Sequence, residues 1–193
     1  MNETISYYDK NAAEYFDMTV NVSMQTLYDQ FEAYLKPGDK ILDLGCGSGR
    51  DSKYFLSKGY EVVSVDGSVG MCHLAAKYLG KEVRNITFDE LDYVDEFDAV
   101  WACASLLHTD LNKITDVMIR IRKVLKKNGL IYASWKYGQG ERVDNQRYYV
   151  DFDETTVREL FSIASFEIEK IWTTEDGLVR RCKWLNVIGK RWI

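Results

Sequence analysis

Ile41-Leu42-Asp43-Leu44-Gly45-Cys46-Gly47-Ser48-Gly49-Arg50 is the stretch on which the fold turns. A short apolar run ends in an acid and breaks at once into alternating glycines, and a polar helix start follows. That order reads as a buried strand, a tight turn and a helix N-terminus. Glycine lets the backbone turn sharply and lets a ligand lie directly against it. A helix N-terminus leaves N–H groups free. The next apolar segment, Tyr60 to Val65, ends at Asp66. An acid at the tip of the second strand of such a unit is the usual grip on a ribose diol. The ligand implied is a nucleoside-containing cofactor.

The glycine spacing narrows the choice. It is G-x-G-x-G, whereas a dinucleotide fingerprint uses G-x-G-x-x-G, with the third glycine for helix–strand packing. Arg50 follows Gly49 and no Lys-Ser pair is present, which excludes a P-loop. Asp43 stands two residues before the first glycine, where a carboxylate repels a pyrophosphate but accepts from an ammonium group. That favours S-adenosylmethionine (SAM), which carries an amino-acid end and no phosphate. The run Leu42 to Arg50 resembles motif I of the class I SAM-dependent methyltransferases. The cofactor is accordingly expected on Asp43, Gly45, Cys46, Gly47, Asp66 and Gly67.

The resemblance implies further roles along the chain. Small-molecule methyltransferases often open with a Tyr-Tyr-Asp-x-x-Ala-x-x-Tyr segment, and residues 6–16 are similar. In that family the segment closes over the cofactor, and a tyrosine reaches the SAM carboxylate; Tyr15 takes that place here. The bland alternative is that Tyr8, Tyr15 and Phe16 simply dock the helix. Met71 resembles a methionine that packs on adenine, with ordinary core as the alternative. Relatives often place an acid after the third strand to accept from the adenine amino group. Thr87 stands there instead, so Asp89 or backbone near Phe88 is expected to read the base. Phe97-Asp98 before an apolar strand is a frequent family feature, and it puts Cys103 at the strand tip beside the cofactor. His108 follows, either contacting the substrate or handling a proton, or only bonding its own loop. Residues 136–147 are polar and glycine-bearing, where relatives place a substrate loop. Lys136, Arg142 and Arg147 are candidates to attract an anionic acceptor, and Trp135, Tyr137 and Tyr148 to wall an aromatic one.

Composition sets the class. The chain has 193 residues, 46% of them hydrophobic, and a single proline, enough for one ordered domain with a substantial core. A net charge of -5 leaves no basic footprint for nucleic acid. Cys46, Cys72, Cys103 and Cys182 lack zinc or redox spacing, and read as reduced residues of a cytoplasmic protein. With His73 and His108 the only histidines, no metal is expected. The start, Met1-Asn2-Glu3-Thr4, is unlike a secretory leader, and no apolar run reaches membrane-spanning length.

Strands alternate with helices until a terminal strand pair, the order of a parallel sheet with an antiparallel edge. Helices are expected over residues 23–35, 51–58, from Ser68 past Leu79, and from a cap at Asp110 to Leu125. Asp151-Phe152-Asp153-Glu154 has capping-box spacing before a further helix. A turn is expected at Glu175-Asp176-Gly177, and Arg180 and Arg181 lie near it. The expected fold is α/β and Rossmann-like: a mostly parallel seven-stranded sheet with an antiparallel edge strand and helices on both faces. Residues 1–193 form one domain, with a helical lid region over 1–36 and a substrate loop over 136–150. The resemblance implies transfer of the SAM methyl group to a small-molecule acceptor, leaving S-adenosylhomocysteine. A SAM-binding sensor without methyl transfer is the alternative. A nucleotide-linked dehydrogenase is disfavoured by Asp43 and the missing third-glycine spacing.

Overall fold

β1 (Lys40–Leu44) lies inside a seven-stranded sheet, third from one edge. β2 (Glu61–Asp66) lies parallel on one side of it and β4 (Phe97–Ala102) parallel on the other. β3 (Arg84–Asn85) extends the sheet beyond β2, and β5 (Leu125–Lys136) extends it beyond β4. β8 (Phe166–Glu175) and β9 (Lys183–Arg191) complete the order β3-β2-β1-β4-β5-β9-β8. β9 is antiparallel to both β5 and β8. The antiparallel strand expected at the edge therefore sits one place in, because β8 closes the outer side. The computed structural model describes residues 3–175 and 182–192. Asp176, Gly177, Arg180 and Arg181 lie outside the described residues.

Side-chain alternation along the strands sorts the core into two layers. Val100 and Ala102 face the layer of α6 (Ile114–Val124) and α7 (Glu154–Ile163), packing with Met118, Ile121 and Phe161. Ala99 and Trp101 face α3 (Gln25–Glu32) and α4 (Arg50–Ser57), packing with Phe31, Phe55 and Tyr132. Trp101 and Tyr132 stack at 4.0 Å between centroids. α5 (Val69–Leu79) covers β2 and β3, starting at Ser68, whose hydroxyl accepts from the Met71 amide, and stopping at Gly80 in the left-handed region.

The N-terminal segment is two helices, α1 (Glu3–Lys10) and α2 (Ala12–Thr19), broken at Asn11. They come down on the start of α5, where a Cβ on Gly70 would stand 2.9 Å from the Ala12 Cβ. Residues 136–150, expected as a loop, instead extend β5 and form a hairpin of β6 (Gly140–Asp144) and β7 (Arg147–Asp151). Two caps also move. Asp110 closes a turn by accepting from the Asn112 amide, and α6 begins four residues later. Asp151 ends β7 and is ion-paired with Arg142, so the capping box before α7 forms between Asp153 and Thr156.

Asp51 ties the layers together. Its carboxylate accepts from Tyr28 Oη at 2.5 Å, from Trp101 Nε1 at 2.8 Å and from both sides of the Arg50 guanidinium at 2.6 and 3.0 Å. Burial works to raise its carboxyl pKa, but Arg50 and these hydrogen bonds outweigh it and hold the group below the usual range. Asp51→Ala leaves a largely buried guanidinium and two donors without an acceptor, so an expected loss of about 3–5 kcal/mol follows. The contribution is fully present above the unfolded carboxyl value of about 3.9 and disappears as pH falls through the lower folded value. Urea titrations at neutral and acidic pH check both statements; a midpoint unchanged by the substitution at neutral pH contradicts the assignment.

Candidate active site

The crevice opens at the C-terminal ends of β1 and β4, between which the strand order reverses. Gly45, Gly47 and Gly49 all have positive φ, at 76°, 52° and 77°. At Gly45 any side chain also collides, since a Cβ would sit 2.5 Å from the Ser105 Cβ. The turn is closed by the Gly45 and Cys46 amides, both donating to the Val65 carbonyl at 2.9 and 3.0 Å. Asp66, at the tip of β2, accepts from the Gly47 amide and the Ser68 amide, each at 2.9 Å. Burial raises its carboxyl pKa, against those backbone bonds.

Above this turn lies a cavity of about 650 Å³. Tyr15, Gly45, Gly47, Asp66, Gly67, Met71, Phe88 and Asp89 line it, which brings together eight of the eleven expected cofactor positions. Thr87 lines it too; its amide and hydroxyl both donate to Glu90, fixing the short turn over Phe88–Glu90. The volume suits a nucleoside-sized ligand. A carboxylate for the ribose diol, apolar faces at Met71 and Phe88 for a flat base, and a glycine turn free of side chains match the parts of SAM.

Three expected cofactor residues do not line it. Asp43 is buried beneath the glycine turn, and Ser52 Oγ donates to it at 2.5 Å. Burial, with Asp51 adding to it, raises the Asp43 carboxyl pKa. β1 alternation turns this side chain toward α4 instead of the crevice. The Cys46 side chain packs with Cys72, Ala75 and Leu79. Cys103 packs beside the Trp101 layer, where burial pushes its thiol up to about 12. Ala104, with φ 51°, and Ser105 take its place at the cavity wall.

A second chamber of about 470 Å³ shares Tyr8, Tyr15, Ala104 and His108 with the first. Tyr137, Arg142, Arg147 and Tyr149 line it. Trp135, expected as a substrate wall, is instead fully buried between Phe152 and Phe161, on the strand face it shares with Ile131 and Ala133. Tyr148 lines the first chamber, not the second. Lys183, which sequence reasoning passed over, lines the second, from the start of β9.

His108 sits at the junction. Its Nδ1 lies 2.7 Å from the Tyr148 carbonyl and its Nε2 2.9 Å from Tyr8 Oη. A carbonyl only accepts, so Nδ1 carries the proton and Nε2 accepts from the Tyr8 hydroxyl. Burial pulls the imidazole down to about 4, the Tyr148 carbonyl opposing and the Arg147 and Lys136 charges adding to the fall. Asp9, on α1, was missed: it accepts from Ser68 Oγ at 2.6 Å and from the Gly70 amide at 3.0 Å, holding α1 over the crevice. Its sequence signal is the Asp of the Tyr-Tyr-Asp-x-x-Ala-x-x-Tyr segment, to which the resemblance gave no role.

A parallel sheet with its glycine turn, ribose-type acid and crevice at the strand-order reversal defines a Rossmann-like nucleoside-cofactor protein. Residues 42–133 match the methyltransferase-domain family. That stretch is similar to methyltransferase domains, and solved SAM-dependent methyltransferases share the fold of the chain. YqeM of Bacillus subtilis (strain 168), named provisionally as a methyltransferase, is 32% identical over 132 residues, covering 58% of this chain and 51% of that protein. The ubiquinone biosynthesis O-methyltransferase of Bradyrhizobium sp. (strain ORS 278) is 32% identical over 105 residues, covering 50% of this chain and 40% of that one. The chain thus spans about half the length, or less, of these curated relatives. Among solved structures, the Burkholderia thailandensis 1,6-didemethyltoxoflavin-N1-methyltransferase, with bound 1,6-didemethyltoxoflavin and S-adenosylhomocysteine, superposes with TM-score 0.84 at 24% identity, covering 99% of this chain and 88% of that one. The [4+2]-cyclase SpnF shares the fold at TM-score 0.73 and 16% identity, covering 99% and 93%.

Asp66 carries the first test of this site. Asp66→Ala is expected to weaken S-adenosylhomocysteine binding by about 1.5–3 kcal/mol, the scale of hydrogen bonds to a charged acceptor. Titration calorimetry on the folded variant reads this directly, and unchanged affinity removes Asp66 from the site.

Proposed function

We propose that this protein transfers the methyl group of SAM to a small-molecule acceptor, leaving S-adenosylhomocysteine. One observation carries the reading: a cofactor-sized cavity on the glycine turn and Asp66 adjoins, across Tyr8, Tyr15, Ala104 and His108, a second chamber of substrate size. SAM, when bound, supplies an activated methyl group on a sulfonium. The protein's part is to orient the acceptor in line and exclude water, and orientation alone contributes on the order of 7–11 kcal/mol. Asp66 holds the ribose hydroxyls, Met71 and Phe88 flank the base, and Thr87 and Asp89 meet its edge. Tyr15 lies over the turn, its ring 4.0 Å from where a Gly47 Cβ would stand, and so covers the amino-acid end of the cofactor. α1 and α2 act as the lid, and the β6–β7 hairpin is the substrate element. The net charge of -5 and the half-enclosed second chamber of about 470 Å³ support a small acceptor over a nucleic acid, and a cytoplasmic setting suits the cysteine usage.

The fold alone does not decide the reaction, since SpnF is named a cyclase. The deciding experiment incubates the protein with SAM and a metabolite panel and measures S-adenosylhomocysteine. Formation above the no-acceptor blank with one compound supports methyl transfer. Tight SAM binding with no turnover across the panel supports the sensor reading.

His108 enters as a positioning residue in this scheme. Both ring nitrogens are engaged, and the neutral form persists through physiological pH, so its task is to aim the Tyr8 oxygen at the chamber junction. A general base contributes about 10²–10⁴ in rate. His108→Ala is expected to fall short of that, with the change mainly in acceptor KM, and Tyr8→Phe to reproduce it. No inflection assignable to His108 should appear between about pH 6 and 8, in contrast to an unperturbed imidazole titrating near 6.5. A purely kcat-based loss with a wild-type inflection near that pH overturns the positioning role.

A further inference from the structure

The second chamber concentrates positive charge in an acidic protein. Lys136, Arg142, Arg147 and Lys183 line it, against two carboxylates, Asp144 and Asp151. Asp151 is already ion-paired with Arg142. Among the described residues no carboxylate lies within 4.0 Å of Lys136, Arg147 or Lys183. Three of the cations gather on one buried ring, Tyr149: Lys136 Nζ at 4.2 Å, the Arg142 guanidinium at 4.8 Å and that of Arg147 at 5.4 Å from its centroid. Arg147 also lies 4.8 Å from the Tyr7 ring, and its Nε is buried with no hydrogen-bond partner.

Gathering like charges in a half-enclosed, low-dielectric space is unfavourable unless an anion balances them. The faces of Tyr149 and Tyr7 offset part of that cost. Burial and the Arg142 and Arg147 charges also depress the Lys136 amine, which a bound anion would reverse. The Arg147 guanidinium, with no carboxylate paired to it among the described residues, has the planar fork that matches a carboxylate. The remaining walls are mostly aromatic, with Leu107 and Ala104 among them and Tyr8 and Tyr15 at the boundary with the first chamber, which suits a flat ring.

We propose that the second chamber selects a planar aromatic acceptor bearing a carboxylate, seated between Lys136 and Arg147 with its ring extending toward Tyr8 and Tyr15. This rests on the methyl-transfer reading, and it names the acceptor's class: the carboxylate anchors the molecule, and the atom to be methylated lies at the far side of the ring, toward the cofactor chamber. Arg147 and Lys136 are then specificity residues, with no part in moving a proton.

The test titrates the intact protein, with and without S-adenosylhomocysteine, using benzoate and naphthoate against their uncharged carboxamides, by ligand-observed NMR and calorimetry. The carboxylates should bind about tenfold tighter than the amides, as expected for a charge-assisted pair in a half-buried site, with the preference shrinking as salt rises. Arg147→Gln and Lys136→Gln should each remove most of that preference while leaving S-adenosylhomocysteine affinity unchanged, and Arg147→Lys should restore part of it. Thermal melts confirm that the variants fold. Equal binding of acids and amides by the wild type overturns the proposal, as does a preference that survives both glutamine variants. Absent S-adenosylhomocysteine binding, with the acid preference intact, sinks the methyl-transfer reading and leaves the chamber's selectivity standing.

Discussion

Asp66 holds two loops at once. One oxygen accepts from the Gly47 amide at the end of β1, the other from the Ser68 amide at the start of α5. A carboxylate has about four lone-pair sites, so both bonds leave acceptor capacity for a ligand. The same two amides fix where the glycine turn and the α5 N-terminus stand relative to each other. The cavity floor, the α5 start and the Ser68 contact to Asp9 on α1 all depend on that separation. Burial raises the carboxyl pKa, and the backbone donors hold it in check. The group remains a hydrogen-bond acceptor in a place where an unpaired carboxylate would be costly.

The three acids of this region show how environment sorts chemically identical groups. Asp51 meets a guanidinium and two ring donors, and its pKa falls. Asp43, on β1, is buried with the Asp51 charge against it; these outweigh the Ser52 hydrogen bonds and the Arg50 charge, and its pKa rises. Arg50 serves Asp51, so the cation immediately after the third glycine belongs to the fold's interior and not to the cofactor chamber. The pair Asp43 and Asp51 braces the glycine turn from beneath, and Asp66 presents it from the side.

Legibility in the sequence followed the range of the interactions. The glycine turn, Asp66, Met71 and the strand–helix order are local, carried by backbone conformation and by apolar periodicity, and they stand where the sequence places them. Asp43, Cys46, Cys103 and Trp135 were misdirected because each sits at the right position along a strand or turn but on the wrong face. A face is decided by the packing partner, and for Asp43 that partner is Ser52. The β6–β7 hairpin was read as a loop for a physical reason. β6 has no fully buried residue and hence no apolar alternation, and its turn places Asn145 and Gln146 both at positive φ, of 50° and 63°, without a glycine. A two-residue turn of that kind usually advertises itself with Asn-Gly. The cationic residues were visible individually, but their convergence on Tyr149 exists only once the hairpin folds.

α1 links the two chambers mechanically. Asp9 binds the α5 start at the cofactor end, Tyr8 donates to His108 at the junction, and Thr4 Oγ1 accepts from the Tyr148 amide of the hairpin. Arg147 of the same hairpin faces the Tyr7 ring. These contacts lie within two turns of one short helix, and an isolated helix of eight residues has little stability of its own. Its position is therefore set by its partners at both ends. Losing Asp9's grip would free Tyr8, and moving the hairpin would pull on Thr4 and Tyr7. Under the proposed function, filling the cofactor chamber and filling the acceptor chamber bias the same helix, so each ligand orders part of the other's wall. That shared ordering makes binding of the second ligand more favourable after the first, and it follows from the helix being too short to hold its place alone.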